Sequence, residues 1–348
     1  MKILFATRNY PPSVGGLQNA AFQLHKALAQ QQDVRLVKWG GRSKVWLPFI
    51  LPYLLVRTTW QAWFWQPDVI FLQDGVMAAT MALPLKLLTR KPIALTIHGL
   101  DVTYKMSLYQ RLLKVGLQHV DQVMADSSWT KHEILQRYPQ TPVKVIKFGV
   151  ADDFYLPKAK PAKATMLLTT GRLVQRKGVA WFVDQVLPAL VKQQPGLQYV
   201  VIGDGPMQPV IVAKIQKHHL QNNVQLLGRL SNQQRNSYYN QANLFIMPNI
   251  PVKGDGEGFG LVALEAASCG TPVVGADLEG IKGAVQDKKI GWLLEPMNAE
   301  LFARTILQQL TKPTLQRQAV RQYVLQNCLW DSVAKHYGQA LSQLSANS

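Results

Sequence analysis

The sequence predicts an α/β fold built as two doubly wound, Rossmann-like domains. Three observations carry this. Short apolar runs alternate with helix-periodic segments along the chain, the pattern of parallel strands covered by helices on both faces. With 348 residues, the chain is long enough to bury two cores of ordinary size. The polar stretch Pro-Lys-Ala-Lys-Pro-Ala-Lys at 157–163 marks a linker between them.

The first run, Ile-Leu-Phe-Ala-Thr at 3–7, predicts a buried strand, and the amphipathic stretch 17–29 predicts the helix after it. Further strands are expected at 34–39, 68–73, 92–98, 122–126 and 143–148, which completes a first domain of 1–156. The second domain, 164–329, takes strands at 165–170, 197–202, 224–227, 244–247 and 272–275. Helices at 179–192, 207–219 and 261–269 separate them. Gly270 fits the stop of the last helix and Pro272 follows it. Two such domains place a site in the cleft between them, at the strand C-termini.

Composition narrows the class. Met1-Lys2 leads directly into the first strand without a cleavage-site pattern, and Cys269 and Cys328 cannot form a disulfide framework; a cytoplasmic protein is expected. The net charge is +18, and the first 150 residues hold 18 Lys and Arg against 7 Asp and Glu, or +11. Nucleic acid or an anionic membrane surface suits such a charge. No zinc-finger, helix-turn-helix or RNP signature accompanies it, so no nucleic-acid partner is expected. The stretch 45–56 is apolar or aromatic throughout, with Arg42 and Lys44 before it and Arg57, Trp60, Trp63, Phe64 and Trp65 after it. It is too short to span a bilayer. It suits a membrane interface or, equally, a buried helix covering the first sheet.

The most informative block is Glu257-Gly-Phe-Gly-Leu-Val-Ala-Leu-Glu265. Glu265 lies on a helix with almost no polar face, which is costly unless something pairs with it. An internal Arg or backbone N–H groups would serve, and so would a ligand. Gly258 and Gly260 let backbone N–H groups approach an anion at a helix N-terminus. A two-turn helix would hold Glu257 and Glu265 about 12 Å apart, near the span of a sugar diphosphate plus ribose. Other strand ends carry polar or glycine-rich turns: Pro11-Pro12-Ser-Val-Gly15-Gly16, His98-Gly99-Leu100-Asp101, Gly171-Arg172 through Lys177-Gly178, Gly203-Asp204-Gly205-Pro206 and Gly228-Arg229-Leu230. On residues alone, Gly15 and Gly16 fit a simple turn as well as a phosphate site. His98 fits a structural histidine, Asp101 a cap or an orienting group, and Asp204 a helix cap. Arg176 reads as solvated. Asp152-Asp153 reads as a surface pair, and no metal site is expected.

The Glu257–Glu265 block resembles the Glu-x7-Glu motif of retaining glycosyltransferases of the GT-B fold, in particular glycosyltransferase family 4. The resemblance runs along nearly the whole chain. It implies that Gly15 and Gly16 face the donor phosphates and that His98 touches the donor sugar near the anomeric carbon. Asp101 would lie toward the acceptor. Arg172 and Lys177 would face the diphosphate, where Arg supplies a fork and Lys a point charge. Gly203 would line the donor site and Leu230 would pack on the nucleobase. Gly258, Phe259, Gly260 and Leu261 would bracket the donor, with Glu257 on sugar hydroxyls and Glu265 on the ribose. The Trp330-initiated segment would cross back onto the first domain, although a surface helix ending the second domain fits the same residues.

The function implied is retaining transfer from a nucleotide diphosphate sugar to a hydroxyl of a glycan or lipid-linked acceptor, in cell-envelope polysaccharide or lipopolysaccharide assembly. No cofactor and no metal are expected, and the anionic inner face of the cytoplasmic membrane is an expected partner. A GT-B nucleotide-sugar epimerase is a rival that consumes donor without acceptor. A non-enzymatic basic binding protein would explain the charge but not Glu265 or the glycine-rich strand ends.

Overall fold

In a computed structural model the chain is described except for Val14, Arg42, Ser43, the Lys44 side chain, residues 157–163, Glu279 and residues 347–348. The expected linker 157–163 thus lies outside the described residues. The chain divides into two compact units: Met1–Gly149 with Trp330–Ser348, and Val150–Leu329.

The first unit is built on six strands, β1 (Lys2–Thr7), β2 (Asp33–Lys38), β3 (Val69–Leu72), β4 (Ile93–Ile97), β5 (Gln122–Ala125) and β6 (Val143–Val145), in the order β2-β1-β3-β4-β5-β6. Every pairing is parallel. Alternation along each strand sorts the two faces. Leu4, Ala6, Ile70 and Leu72 join the core beneath three helices, Leu47–Trp65, Gly75–Thr89 and Ser107–Leu117. One residue out of phase, Phe5 meets His25 of helix Gly16–Ala29, and Phe71 meets Tyr337 of helix Trp330–Ala346. The C-terminal helix therefore belongs to the first unit, which decides between the two readings of the Trp330 segment. Trp330 stacks near Phe148, and a Cβ on Gly149 would lie 2.8 Å from the Trp330 Cα.

The expected boundary at 156 needs correction. Residues 150–156 fold with the second unit, where Val150 N–H donates to Cys328 O (2.8 Å), Asn240 Nδ2 to Phe154 O (2.8 Å) and Leu156 N–H to Asn240 Oδ1 (3.0 Å). Those partners are remote in sequence, so composition alone placed the boundary at the polar stretch.

The second unit has β7 (Met166–Thr170), β8 (Gln198–Ile202), β9 (Val224–Leu226), β10 (Leu244–Met247), β11 (Val273–Ala276) and β12 (Gly291–Leu294), in the order β12-β11-β10-β7-β8-β9. β12 has no counterpart in the sequence reading. The expected helix 179–192 contains a π segment, Phe182–Val186, ahead of Pro188, whose missing N–H interrupts the regular ladder. The strand order reverses between the neighbours β7 and β10. In open parallel sheets ligands bind outside the strand C-termini at such a reversal.

Candidate active site

The second unit assembles its polar groups at that reversal. Gly171, directly after β7, has φ +139, and Gly178 has φ +66. A Cβ on Gly178 would lie 1.7 Å from Pro248 O, so only glycine lets the loops after β7 and β10 meet. Ile250 N–H donates to Arg176 O at 3.0 Å. Across this seam Lys177 Nζ lies 2.6 Å from Glu257 Oε2, and Asn249 Nδ2 donates to the same oxygen at 3.1 Å. Arg176 sits 3.7 Å from Glu257 Oε2 and 3.4 Å from Asp255 Oδ1. Burial works against ionising Glu257, but the charges of Lys177 and Arg176 and the Lys177 and Asn249 hydrogen bonds outweigh it. The Glu257 carboxyl is held below its ordinary range. An ammonium with three N–H groups can satisfy Glu257 and still donate to an anion.

Glu265 is held differently. Tyr239 donates its hydroxyl proton to Glu265 Oε2 at 2.7 Å, and Arg235 Nε is 4.0 Å from the same oxygen. Thr170 Oγ1, at the end of β7, is 2.8 Å from the Tyr239 hydroxyl and donates to it, since the phenol proton is committed. Burial, then the nearby Glu265 charge, pushes the Tyr239 phenol well above its ordinary value, so it remains a donor.

Four expectations are corrected. The helix starts at Leu261, with Gly260 at its N-cap in the left-handed region (φ +80), so Glu257 lies in the preceding loop and the two-turn spacing does not hold. Glu257 is the more buried carboxylate, at 9%, while Glu265 is half-buried, because the flank of its helix opens toward Arg235 and Tyr239. Arg176 is half-buried and paired instead of solvated, because the β7 loop folds over the β10 loop. Asp204 does not cap helix Gln208–Lys217; it pairs with Arg229 at 2.7 Å.

The remaining donor-side residues are placed as follows. Arg172 is exposed and makes no ion pair among the described residues. Gly203 has φ +138, a Cβ there would lie 1.9 Å from Gly171 O, and its N–H donates to Gly228 O at 2.7 Å. The turns after β7, β8 and β9 thus converge, with Leu230 half-buried two residues beyond Gly228. Phe259 is buried, and Gly258 and Leu261 are half-buried. Gly280 N–H donates to Glu257 O at 3.1 Å, and a Cβ on Gly280 would lie 1.7 Å from Gly258 O. Asp152 pairs with Arg321 at 2.8 Å.

The first unit gathers a second set at the C-termini of β1, β3, β4 and β5. His98 stands at the N-cap of helix Gly99–Thr103, because Gly99 fits under the Trp129 ring where a Cβ would lie 2.2 Å away. His98 Nδ1 is 3.1 Å from Asp126 Oδ2, and Thr130 Oγ1 donates to Asp126 Oδ1 at 2.6 Å. The carboxylate therefore accepts from Nδ1–H, which leaves Nε2 for a ligand. Burial opposes protonation of His98, but the Asp126 hydrogen bond and the charges of Asp126, Asp101 and Asp74 prevail, so its pKa is raised. Asp101 acts as a cap: its Oδ2 accepts from His98 N (3.2 Å) and Gly75 N (3.3 Å). Burial, then the charge of Asp74, raises the Asp101 pKa. Asp74 is fully buried and binds Arg8 Nε and Asn9 Nδ2, each at 2.8 Å. Gly15 caps helix Gly16–Ala29.

Arg8, Asn9, Asp74, Asp126, Asn249 and Tyr239 lie outside the motifs read from the sequence. Asp74 and Asp126 had one usable signal, a carboxylate directly beyond a buried strand.

Comparison with known proteins matches these elements. Residues 14–154 match the family model "Glycosyltransferase Family 4" and residues 155–324 the model "Glycosyl transferases group 1". The chain is 24% identical over 373 aligned residues to a phosphatidylinositol N-acetylglucosaminyltransferase component of Arabidopsis thaliana, covering 96% of this chain and 80% of that protein. It is 25% identical over 233 residues to the amylovoran biosynthesis glycosyltransferase AmsK of Erwinia amylovora, covering 64% of this chain and 56% of that protein. The crystal structure of Anabaena HepE in complex with UDP superposes with a TM-score of 0.77 at 20% identity, covering 99% of this chain and 100% of that one. Two parallel six-stranded sheets with alternating helices, and family models that together span most of the chain, make this protein a member of the group 1, family 4 glycosyltransferases of the GT-B fold.

Proposed function

We propose that this protein transfers a sugar, with retention, from a nucleotide diphosphate sugar to a hydroxyl of a glycan or lipid-linked acceptor in cell-envelope polysaccharide or lipopolysaccharide assembly. The observation that carries the reading is Lys177 against Glu257, flanked by Arg176 and Asn249, at the β7/β10 reversal. A cation and a carboxylate fixed side by side suit a diphosphate joined to a polyhydroxylated sugar. As the glycosidic bond breaks, negative charge grows on the diphosphate. Lys177 and Arg172 stabilise that charge, doing without a metal ion what a divalent cation does elsewhere. Glu257 holds sugar hydroxyls and Glu265 the ribose. The backbone of Gly15, Gly16, Gly203 and Gly258–Leu261 lines the donor, and Leu230 packs on the base. His98, oriented by the Nδ1–H it donates to Asp126, presents Nε2 to the donor sugar near the reacting carbon. The acceptor hydroxyl attacks on the face the diphosphate leaves, and a leaving phosphate oxygen takes its proton. No cofactor takes part.

The relatives' names support the acceptor class. One names phosphatidylinositol, a lipid, and the other amylovoran biosynthesis. The Anabaena neighbour holds UDP. The enzyme works at the anionic inner face of the cytoplasmic membrane, attached peripherally.

The test is thermal stability against UDP, GDP, ADP, CMP and their sugars. A true donor product at about 100 times its dissociation constant adds about 2.7 kcal/mol, a clear rise in Tm. One nucleotide should stand out, and the transfer assay then follows with its labelled sugar. Cooperative melting with no shift from any nucleotide sinks the reading.

A further inference from the structure

Helix Leu47–Trp65 turns one side inward, with Leu54, Ala62 and Trp65 in the core. Its other side leaves Phe49, Tyr53, Val56, Trp60, Trp63 and Phe64 between 48% and 72% exposed. Their spacing repeats every three or four residues, so they form one apolar stripe along about 23 Å of helix. The outward side of a surface helix normally carries the charge, and contiguous exposed aromatic surface of this extent marks a docking site.

The stripe is not alone. Helix Ser107–Leu117 buries Tyr109, Leu113 and Leu117 and exposes Leu108, Leu112 and Val115. Tyr104 and Met106 before it are 59% and 51% exposed, and Leu100 is 54% exposed. Helix Gly75–Thr89 packs against both neighbours. Trp63 Nε1 donates to Leu88 O at 3.0 Å on one side, and a Cβ on Gly116 would lie 2.2 Å from Ala78 O on the other. Leu87 and Leu88 add to the exposed apolar surface at its end. The three helices thus form one layer on a single face of the sheet. None of them contains an Asp or Glu, while Arg57, Arg111 and Lys114 lie within them and Arg90, Lys91 and Lys105 beside them; Lys86 is taken up by Asp121 at 2.7 Å.

We infer that this three-helix layer, helix Ser107–Leu117 included, is a docking face for an anionic lipid bilayer. Aromatic and aliphatic side chains interleaved with cations, on helices that carry no carboxylate of their own, are what the headgroup boundary selects. Among the described residues no helix is long and apolar enough to cross a membrane, so the layer lies in the interface. A protein partner would be expected to meet some carboxylates here as well as cations, whereas an anionic surface meets cations alone. The inference deepens the lipid-linked acceptor reading, because helix Gly99–Thr103 carries the exposed Leu100 and begins at His98. The docked face therefore sets His98 near the lipid headgroups.

The test is co-sedimentation of the full chain with vesicles of phosphatidylglycerol and phosphatidylcholine, against phosphatidylcholine alone. The wild type should partition onto the anionic vesicles and be released by salt. Phe49→Ser/Trp60→Ser and, separately, Leu108→Ser/Leu112→Ser should each weaken partition by about tenfold or more. Arg111→Gln/Lys114→Gln should weaken it only on anionic vesicles. All three should keep the wild-type Tm and its nucleotide-induced shift, which separates failure of this inference from failure of the catalytic reading. Unchanged partition of Leu108→Ser/Leu112→Ser removes the second helix from the face and overturns the inference. So does equal binding to neutral vesicles, or self-association that the same substitutions abolish.

Discussion

Replacing Lys177 by Met keeps the side-chain length and removes the charge. Lys177 Nζ is 2.6 Å from Glu257 Oε2, and the two side chains are only 12% and 11% exposed. Removing one partner of a buried ion pair costs about 3–5 kcal/mol, because the other charge is left uncompensated. Here Asn249 at 3.1 Å and Arg176 at 3.7 Å remain with Glu257. That brings the expected loss to about 2–3 kcal/mol, a fall in Tm of roughly 5–10 °C. Adding Glu257→Gln removes the orphaned charge and should recover most of that stability. Activity should behave differently. Turnover should fall by about 10² to 10³ in Lys177→Met, as for other lost charge stabilisers, and should not recover in the double variant. The pH dependence carries a further sign. The folded Glu257 carboxyl titrates below its ordinary value of 4.5. The pair's stabilisation is therefore complete above that value and is lost as pH falls through the lower folded pKa. In Lys177→Met the acid limb should move up toward 4.5. Thermal melts at stepped pH, with initial rates of labelled-sugar transfer, read all of this. A Lys177→Met protein as stable as wild type, or a double variant with wild-type turnover, refutes the reasoning.

Two further predictions concern partners invisible in the motifs. Asp126→Asn should lower the proton affinity of His98, whose folded pKa lies above the ordinary 6.5. In the wild type that stabilisation is complete below 6.5 and fades as pH rises through the folded value, so the variant should flatten the dependence of Tm on pH above 6.5 and shift the imidazole NMR titration to lower pH; an unshifted titration rejects the pairing. Tyr239→Phe takes one hydroxyl from both Thr170 (2.8 Å) and Glu265 (2.7 Å), and should cost about 1–3 kcal/mol in a urea melt and weaken nucleotide binding by calorimetry. Unaltered values in both assays would detach Glu265 from any ribose role.

The sequence by itself determined the two-sheet α/β class, the positions of most strands and the glycine-rich ends where chemistry collects. Short apolar runs and Gly or Pro punctuation are local, and they survive in one dimension. Lys177, Glu257 and His98 were legible for the same reason: each lies in a glycine-bearing segment between a strand and the helix that follows it. Only the tertiary structure decided their partners. Arg176, Tyr239 and Asp126 reach Glu257, Glu265 and His98 from elements remote in sequence, and Asn249 reaches Glu257 only through the fold of the loop after β10. The pairing of β7 with β10 skips two intervening strands. The unit boundary at Gly149 followed likewise from contacts of residues 150–156 with residues near 240 and 328, which no polar stretch records. The stretch 45–65 shows the limit most plainly. Its hydrophobicity is the same whether buried or wet, and only packing against the neighbouring helix and the sheet decides which side of it meets the core.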